Sequence, residues 1–158
     1  MVDIVSVKSA QDLEHIRVLF KEYADSLGFD LDFQDFQEEL DGLPGEYSPA
    51  EGCLLLAKDG RQIIGCVALR KIDRKTCEMK RLYVRPDFRG KGIGRALSQK
   101  IINEARRIGY KKMRLDTIPT MKQANALYHS FGFKKIKPYR YNPIKGALFM
   151  ELNLRGGE

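Results

Sequence analysis

Between a β-patterned run that ends at Val84 and an amphipathic stripe that begins at Ile93, three glycines alternate with other residues in Arg89-Gly90-Lys91-Gly92-Ile93-Gly94. No other segment constrains the chain as much. A strand must hand over to a helix here, and the first turn of any helix leaves N–H groups unpartnered at the positive end of its dipole. Glycine permits positive φ and a close approach of a ligand to the backbone. Arg89, Lys91 and Arg95 add cations around the turn. The segment therefore reads as a cradle for a phosphate or diphosphate; a turn that only joined strand to helix would seldom need all of this. Two familiar phosphate loops do not fit. The chain has no Gly-Lys-Ser/Thr, and a dinucleotide fingerprint fails because Leu97 or Arg95 stands where Gly or Ala is required, although Asp116 lies at a suitable distance downstream.

Hydropathy periods supply the remaining elements. Val2 to Lys8 reads as a strand, and Ser9 with Asp12 resembles a capping box. Leu13, Ile16, Phe20, Tyr23 and Leu27 form one helical face, ended by Gly28, and Phe33, Phe36 and Leu40 form a shorter one, stopped by Gly42. Residues 42–49 are a loop by Gly and Pro content. Strands follow at Cys53 to Lys58, Gln62 to Ile72 and Thr76 to Val84, with Asp59-Gly60 as a two-residue hairpin signal and Pro86 ending the third. Ile93, Leu97, Ile101, Ala105 and Ile108 line a long helix closed by Gly109. Met113 to Thr117 is a strand, Ala124, Leu127, Tyr128 and Phe131 one helical face, and Phe133 to Lys137 and Ala147 to Leu154 the last strands. The order β-α-α-β-β-β-α-β-α-β-β predicts one α+β domain over residues 1–154 and a frayed tail over 155–158.

With 158 residues the chain can bury about 70% of its unfolded surface without a staple. Three cysteines and two histidines exclude a Cys/His metal cage, so no metal is expected, and free thiols suit a reducing, cytoplasmic setting. The longest aliphatic runs fall far short of the ~20 residues needed to span a bilayer, and no targeting segment is visible at Met1 to Lys8. The net charge of +7 carries no helix-turn-helix or RNA-recognition signature, so neither nucleic acid nor membrane is an expected partner. Charge is unevenly placed: residues 22–51 hold ten acidic residues and no Lys or Arg, leaving +17 elsewhere. One side suits an anionic ligand and another a cation, or the acidic run is simply a solvated face.

Arg89-Gly-Lys-Gly92-Ile-Gly94 resembles the [RQ]-x-x-G-x-[GA] signature of the GNAT superfamily of acyl-CoA N-acyltransferases. Leu82-Tyr-Val-Arg-Pro86 before it and Ala124-Asn-Ala-Leu-Tyr128-His-Ser-Phe-Gly132-Phe133 after it are similar to that family's strand and A-x-x-L-Y-x-x-x-G-F motif, at the usual separation. The resemblance covers nearly the whole chain. It implies a mixed, mostly antiparallel sheet flanked by helices and splayed between the strands ending near Val84 and Thr117, with acetyl-CoA in the gap as co-substrate. The diphosphate would lie on Arg89, Gly90, Lys91, Gly92, Ile93, Gly94 and Arg95, and the pantetheine beside Leu82, Tyr83 and Val84. Relatives often carry Asn seven residues before the tyrosine; here that residue is Met121, with Asn125 one helical turn on as the substitute contact.

What the resemblance implies is acetyl transfer to a primary amine by direct attack in a ternary complex. Tyr128 is the candidate acid, otherwise a core residue: protonating a thiolate from tyrosine is uphill by only ~2 kcal/mol on reference values. Deprotonating a lysine-like amine at pH 7 costs ~4.6 kcal/mol, which a carboxylate or an ordered water can offset. Glu78, where histone-type relatives carry a base, is the candidate, with an ion pair to Lys80 or a neighbouring strand as its other reading. Alternation would set Glu78, Lys80, Leu82 and Val84 on one face. Cys53, Cys66 and Cys77 read as small core residues. The first two helices and the loop carrying Tyr139, Arg140 and Tyr141 would wall the acceptor, and the acidic run then suggests a cationic amine such as a polyamine, an aminoglycoside-like amine or a lysine side chain. A non-catalytic acyl-CoA sensor is the alternative, and a homodimer is compatible with either.

Overall fold

The computed structural model describes residues 2–28, 30, 31 and 35–155; Phe33 of the second helical stripe and residues 156–158 of the expected tail lie outside them. The elements follow the expected order. They are β1 (Val2–Ser6), α1 (Ala10–Ser26), α2 (Phe36–Asp41), β2 (Cys53–Asp59), β3 (Gln62–Lys71), β4 (Thr76–Val84), α3 (Ile93–Ile108), β5 (Lys112–Thr117), α4 (Lys122–Phe131), β6 (Lys134–Ile136) and β7 (Leu148–Asn153). Seven strands form one sheet in the order β1-β2-β3-β4-β5-β7-β6. All neighbours are antiparallel except β4 and β5. Among the described residues no helix is long and apolar enough to cross a membrane.

Local chemistry accounts for the boundaries. Ser9 caps α1 by accepting from the Asp12 N–H at 3.1 Å, while Asp12 accepts from the Lys8 N–H at 3.0 Å. Left-handed Gly109 and Gly132 stop α3 and α4, as their positions in the sequence suggest. The β2–β3 hairpin differs from expectation by one residue. Asp59 pairs with Gln62, so the two-residue loop is Gly60-Arg61, with Gly60 at φ +62.

The sheet separates two cores. On one face α3 lays Ile93, Leu97, Ile101, Ile102 and Ala105 against Leu55, Val67, Leu69, Cys77, Met79 and Met113. On the other, Ile16, Leu19 and Phe20 of α1 join Leu40, Tyr47, Leu54, Leu56 and Tyr83. The cysteines are free, with Cys66 and Cys77 buried and Cys53 half-buried.

Strand β4 breaks strict alternation. Ala68 pairs with Lys80 but Cys66 pairs with Tyr83, so β4 carries one extra residue, and Arg81 takes a left-handed φ of 61°. A one-residue insertion exchanges faces for everything beyond it. Glu78 and Lys80 therefore share the α1–α2 side with Arg81 and Tyr83, while Leu82 and Val84 pack toward α3. The expected common face for Glu78, Lys80, Leu82 and Val84 is corrected by this bulge. A left-handed non-glycine residue costs on the order of 1–2 kcal/mol. Arg81 is held there by Glu39, which accepts from its Nε at 3.0 Å and its Nη2 at 2.8 Å, and by the rings of Phe36 and Tyr23 at 5.3 and 5.7 Å.

Candidate active site

The ladder between β4 and β5 joins Thr76 to Lys112, Cys77 to Met113 and Glu78 to Arg114. Past these pairs, a cleft of about 600 Å³ opens beside β4. Its lining includes Leu82, Tyr83 and Val84, the loop residues Arg89, Gly90, Gly92, Ile93, Gly94 and Arg95, and Ala124 and Leu127 of α4. Gly90 and Gly92 are left-handed, at φ 79° and 81°, and among the described residues no side chain caps the first turn of α3. That turn thus presents its N–H groups to the cleft. Gly94 adds a different argument: a Cβ built there meets nothing closer than Leu127 at 3.8 Å and Val84 at 3.9 Å. The protein's own packing does not require glycine at that position, whereas a diphosphate seated on the turn would. The residues present fit the nucleotide end of coenzyme A.

Other side chains qualify the expected contacts. Arg89 donates from Nε to the Val84 carbonyl at 2.8 Å and lies over the Tyr83 ring. Arg95 donates to the Ser130 hydroxyl and stacks on Phe131. Lys91 lies over Phe88, outside the lining of the cleft. Asn125 is outside it as well: it accepts from the Thr117 hydroxyl at 2.7 Å and donates to the Ile118 carbonyl at 3.0 Å, tying α4 to β5. Met121 does line the cleft, where its thioether provides an apolar wall.

Next to this cleft, and sharing Tyr23, Leu27, Leu82, Ile118 and Met121 with it, lies a small cavity of about 40 Å³. It has room for about three water-sized groups at roughly 10–15 Å³ each. Its other walls include Met79, Lys80, Asp116, Tyr128 and Asn142. Tyr128 is 6% exposed and its ring meets Phe133 edge-on at 5.7 Å. Burial pushes its hydroxyl well above the ordinary tyrosine range, with Tyr23 and Asp116 adding to the effect. The hydroxyl therefore stays protonated and keeps a proton to donate. Asp116 accepts from the Asn142 amide at 3.1 Å. The sequence marks Asp116 only as a residue that a dinucleotide fold would use; a carboxylate two residues past Arg114 on the outer alternation of β5 is the signal that could have found it.

Glu78 lies behind Lys80 and Arg140, outside the lining of either cavity, with no exposed side-chain surface. Its Oε1 accepts from Arg70 Nε at 2.7 Å and from Arg140 Nη2 at 2.6 Å, and its Oε2 accepts from the Tyr139 hydroxyl at 2.6 Å. Of the two readings offered by the sequence, the ion pair to a neighbouring strand is realised, through Arg70 of β3. Burial alone would raise its carboxyl, but Lys80, Arg140 and Arg70 outweigh it and hold the group below the usual range. The bonds from Tyr139 and Arg140 strap that segment onto β4. Lys80, 8% exposed, has its ammonium pushed down to about 7 by burial and by Arg81, Arg140 and Arg70, against the pull of Glu78.

A model of the Acetyltransferase (GNAT) family matches residues 12–133. An uncharacterized N-acetyltransferase of Schizosaccharomyces pombe is 41% identical over 155 residues, covering 97% of this chain and 95% of its own. The crystal structure of an acetyltransferase from Streptococcus agalactiae superposes with a TM-score of 0.79 at 22% identity, over 96% of this chain and 98% of that one. A GNAT family acetyltransferase from Elizabethkingia anophelis, solved with acetyl-CoA bound, superposes with a TM-score of 0.68 at 23% identity, over 96% and 97%. The glycine-lined cleft, the tyrosine beside it and these matches lead to one assignment: the chain belongs to the GNAT family of acyl-CoA-dependent acetyltransferases.

Proposed function

We propose that the protein transfers the acetyl group of acetyl-CoA to a primary amine in a ternary complex. One observation carries the reading: the uncapped first turn of α3, with left-handed Gly90 and Gly92, opens on a cleft that continues into the small cavity beside Tyr128. The N–H groups from Arg89 to Arg95 would hold the diphosphate, and Leu82, Tyr83 and Val84 would flank the pantetheine. Acetyl-CoA supplies an activated thioester. The acceptor nitrogen forms a C–N bond to the acetyl carbon as the C–S bond breaks. Asp116, directly or through a water, takes the proton lost by the amine, and the Tyr128 O–H supplies the proton that leaves with the sulfur.

Burial that raises Tyr128 does not defeat this proton transfer, because it raises thiols too. Half-buried Cys53 is pushed up to about 11 by the same cause, so a desolvated thiolate gains basicity alongside the tyrosine. The Glu78 carboxylate acts here by fixing Tyr139 and Arg140, because Lys80, Arg140 and Arg70 hold its carboxyl below the usual range and make it a weaker proton acceptor.

The expected cationic acceptor keeps only part of its support. Within the acidic run, Glu22 pairs with Arg85, Glu39 with Arg81, Glu46 with Arg70 and Glu51 with Lys71. Exposed Asp35 and Glu38, at the rim of the cavity walled by α2, remain to attract a cationic amine or a lysine side chain. Thiol release from acetyl-CoA against a panel of amines tests the reading. Acetylation of at least one primary amine, with calorimetric binding of CoA, is the expected result; absence of both sinks it.

A further inference from the structure

The third cavity, about 800 Å³, lies on the α2 side of β4 and meets the small one at Lys80, which lines both. Its charges are sorted by depth. Asp35, Glu38 and Glu46 are exposed at the rim, whereas the side chains of Arg70, Arg140 and Lys80 are largely covered. Of the rim carboxylates, Glu46 is drawn onto Arg70, and Glu39 beside them spends both oxygens on Arg81. At the floor, three cations thus converge on one fully buried carboxylate, Glu78. Arg140 also has its Nε buried without a hydrogen-bond partner among the described residues. A buried donor left without an acceptor is rare unless something absent from the chain supplies the acceptor. A polyamine would push an ammonium against these cations, which is the wrong sign.

We propose that the acceptor is an amine carrying a carboxylate close to the reacting nitrogen, as an amino acid does, and that Arg140, Lys80 and Arg70 receive that carboxylate. The inference rests on the acetyltransferase reading above and names its acceptor class. A guanidinium offers a carboxylate a planar pair of donors. Because Lys80 borders the small cavity, a carboxylate held beside it would leave an amino group one or two bonds away at the cavity that Tyr128 and Asp116 also line. Depressed basicity of Lys80, caused first by burial and then by its cationic neighbours, fits the same picture: Arg70, Arg140 and Lys80 outnumber Glu78 and Glu46, and an incoming anion would relieve that excess. The rim carboxylates are then available for a basic group at the far end of the acceptor.

Matched acceptors separate this inference from the one beneath it. Thiol release from acetyl-CoA is compared for lysine against cadaverine, ornithine against putrescine and alanine against ethylamine. The expected kcat/KM is about tenfold to a hundredfold higher for each amino acid than for its decarboxylated partner, the range for a charge-assisted hydrogen bond. Arg140→Gln should bring that ratio toward one mainly through KM of the amino acid, while Arg140→Lys should keep part of it; CoA binding by calorimetry reports whether each variant is folded. The wild-type ratio decides even if Arg140→Gln does not fold. Equal or better use of the decarboxylated amines overturns the carboxylate site but leaves the acetyltransferase. No turnover with any amine, together with no heat on adding CoA, overturns both.

Discussion

The two ends of the site are built from different materials. At the proposed nucleotide end the backbone would do the binding: a helix turn with no side-chain cap among the described residues, two left-handed glycines and a third glycine that the protein's own packing does not need. At the proposed acceptor end side chains would do it, with Arg70, Lys80, Arg81 and Arg140 brought from β3, β4 and the β6–β7 connection around Glu78 and Glu39. The first needs only a strand, a short loop and a helix in sequence. The second needs residues as much as 62 positions apart to meet, and it carries large desolvation penalties that only complete pairing offsets.

The contrast can be broken or sharpened by substitution. Tyr128→Phe, where the two ends meet, should lower kcat by about 10²–10⁴-fold while leaving the CoA dissociation constant unchanged. An equal loss of CoA affinity would make the tyrosine a packing residue, and full activity would remove it from the chemistry. Glu39→Ala should destabilise the fold by about 3–5 kcal/mol in denaturant, because it strands the buried Arg81 guanidinium in its left-handed position. A loss below ~1 kcal/mol would mean that the bulge holds itself.

Lys80 gives a pH signature. Its folded value, about 7, lies below its ordinary 10.5, so the folded chain binds fewer protons between those limits. The burial penalty is therefore full below pH 7 and fades as pH rises through the window. Lys80→Met should stabilise the protein by about 2 kcal/mol at pH 6, with the gain shrinking toward pH 10. A gain independent of pH would show that the ammonium is not the source. The smallest effect belongs to the backbone end. Gly94→Ala should leave stability unchanged or raise it by up to ~1 kcal/mol, as a glycine-to-alanine change in a helix does, while weakening CoA about tenfold. Unchanged CoA affinity would remove the diphosphate from that turn.

Legibility follows the same division. The order of all eleven elements, the Ser9 cap, the glycine stops and the loop before α3 depend on interactions within a few residues, so periodicity and turn chemistry carried them. The motif put Tyr128 on the last helix, and the structure finds it there, lining the small cavity. Lys91 and Asn125 belong to the right segments, but the structure turns the first onto Phe88 and the second onto Thr117 and Ile118. A motif specifies where a residue sits on a turn, not which neighbour captures its side chain. The Arg81 bulge escaped detection because a left-handed arginine has no local signature; alternation counted straight through it. The acidic run was visible as composition, yet its partners Arg70, Arg81 and Arg85 lie on strands that only the folded sheet brings opposite.

By itself, then, the amino-acid order determined which segments become helix or strand and where a diphosphate could meet bare N–H groups, because those outcomes are governed by sterics and hydrogen bonding over a few residues. Tertiary structure alone decided that Glu78 pairs with Arg70 and Arg140, that Asp116 lines the same small cavity as Tyr128, and that carboxylates of the acidic run pair with Arg70, Arg81 and Arg85. Electrostatic energy depends on distance and burial, and both are set only when remote strands pack together.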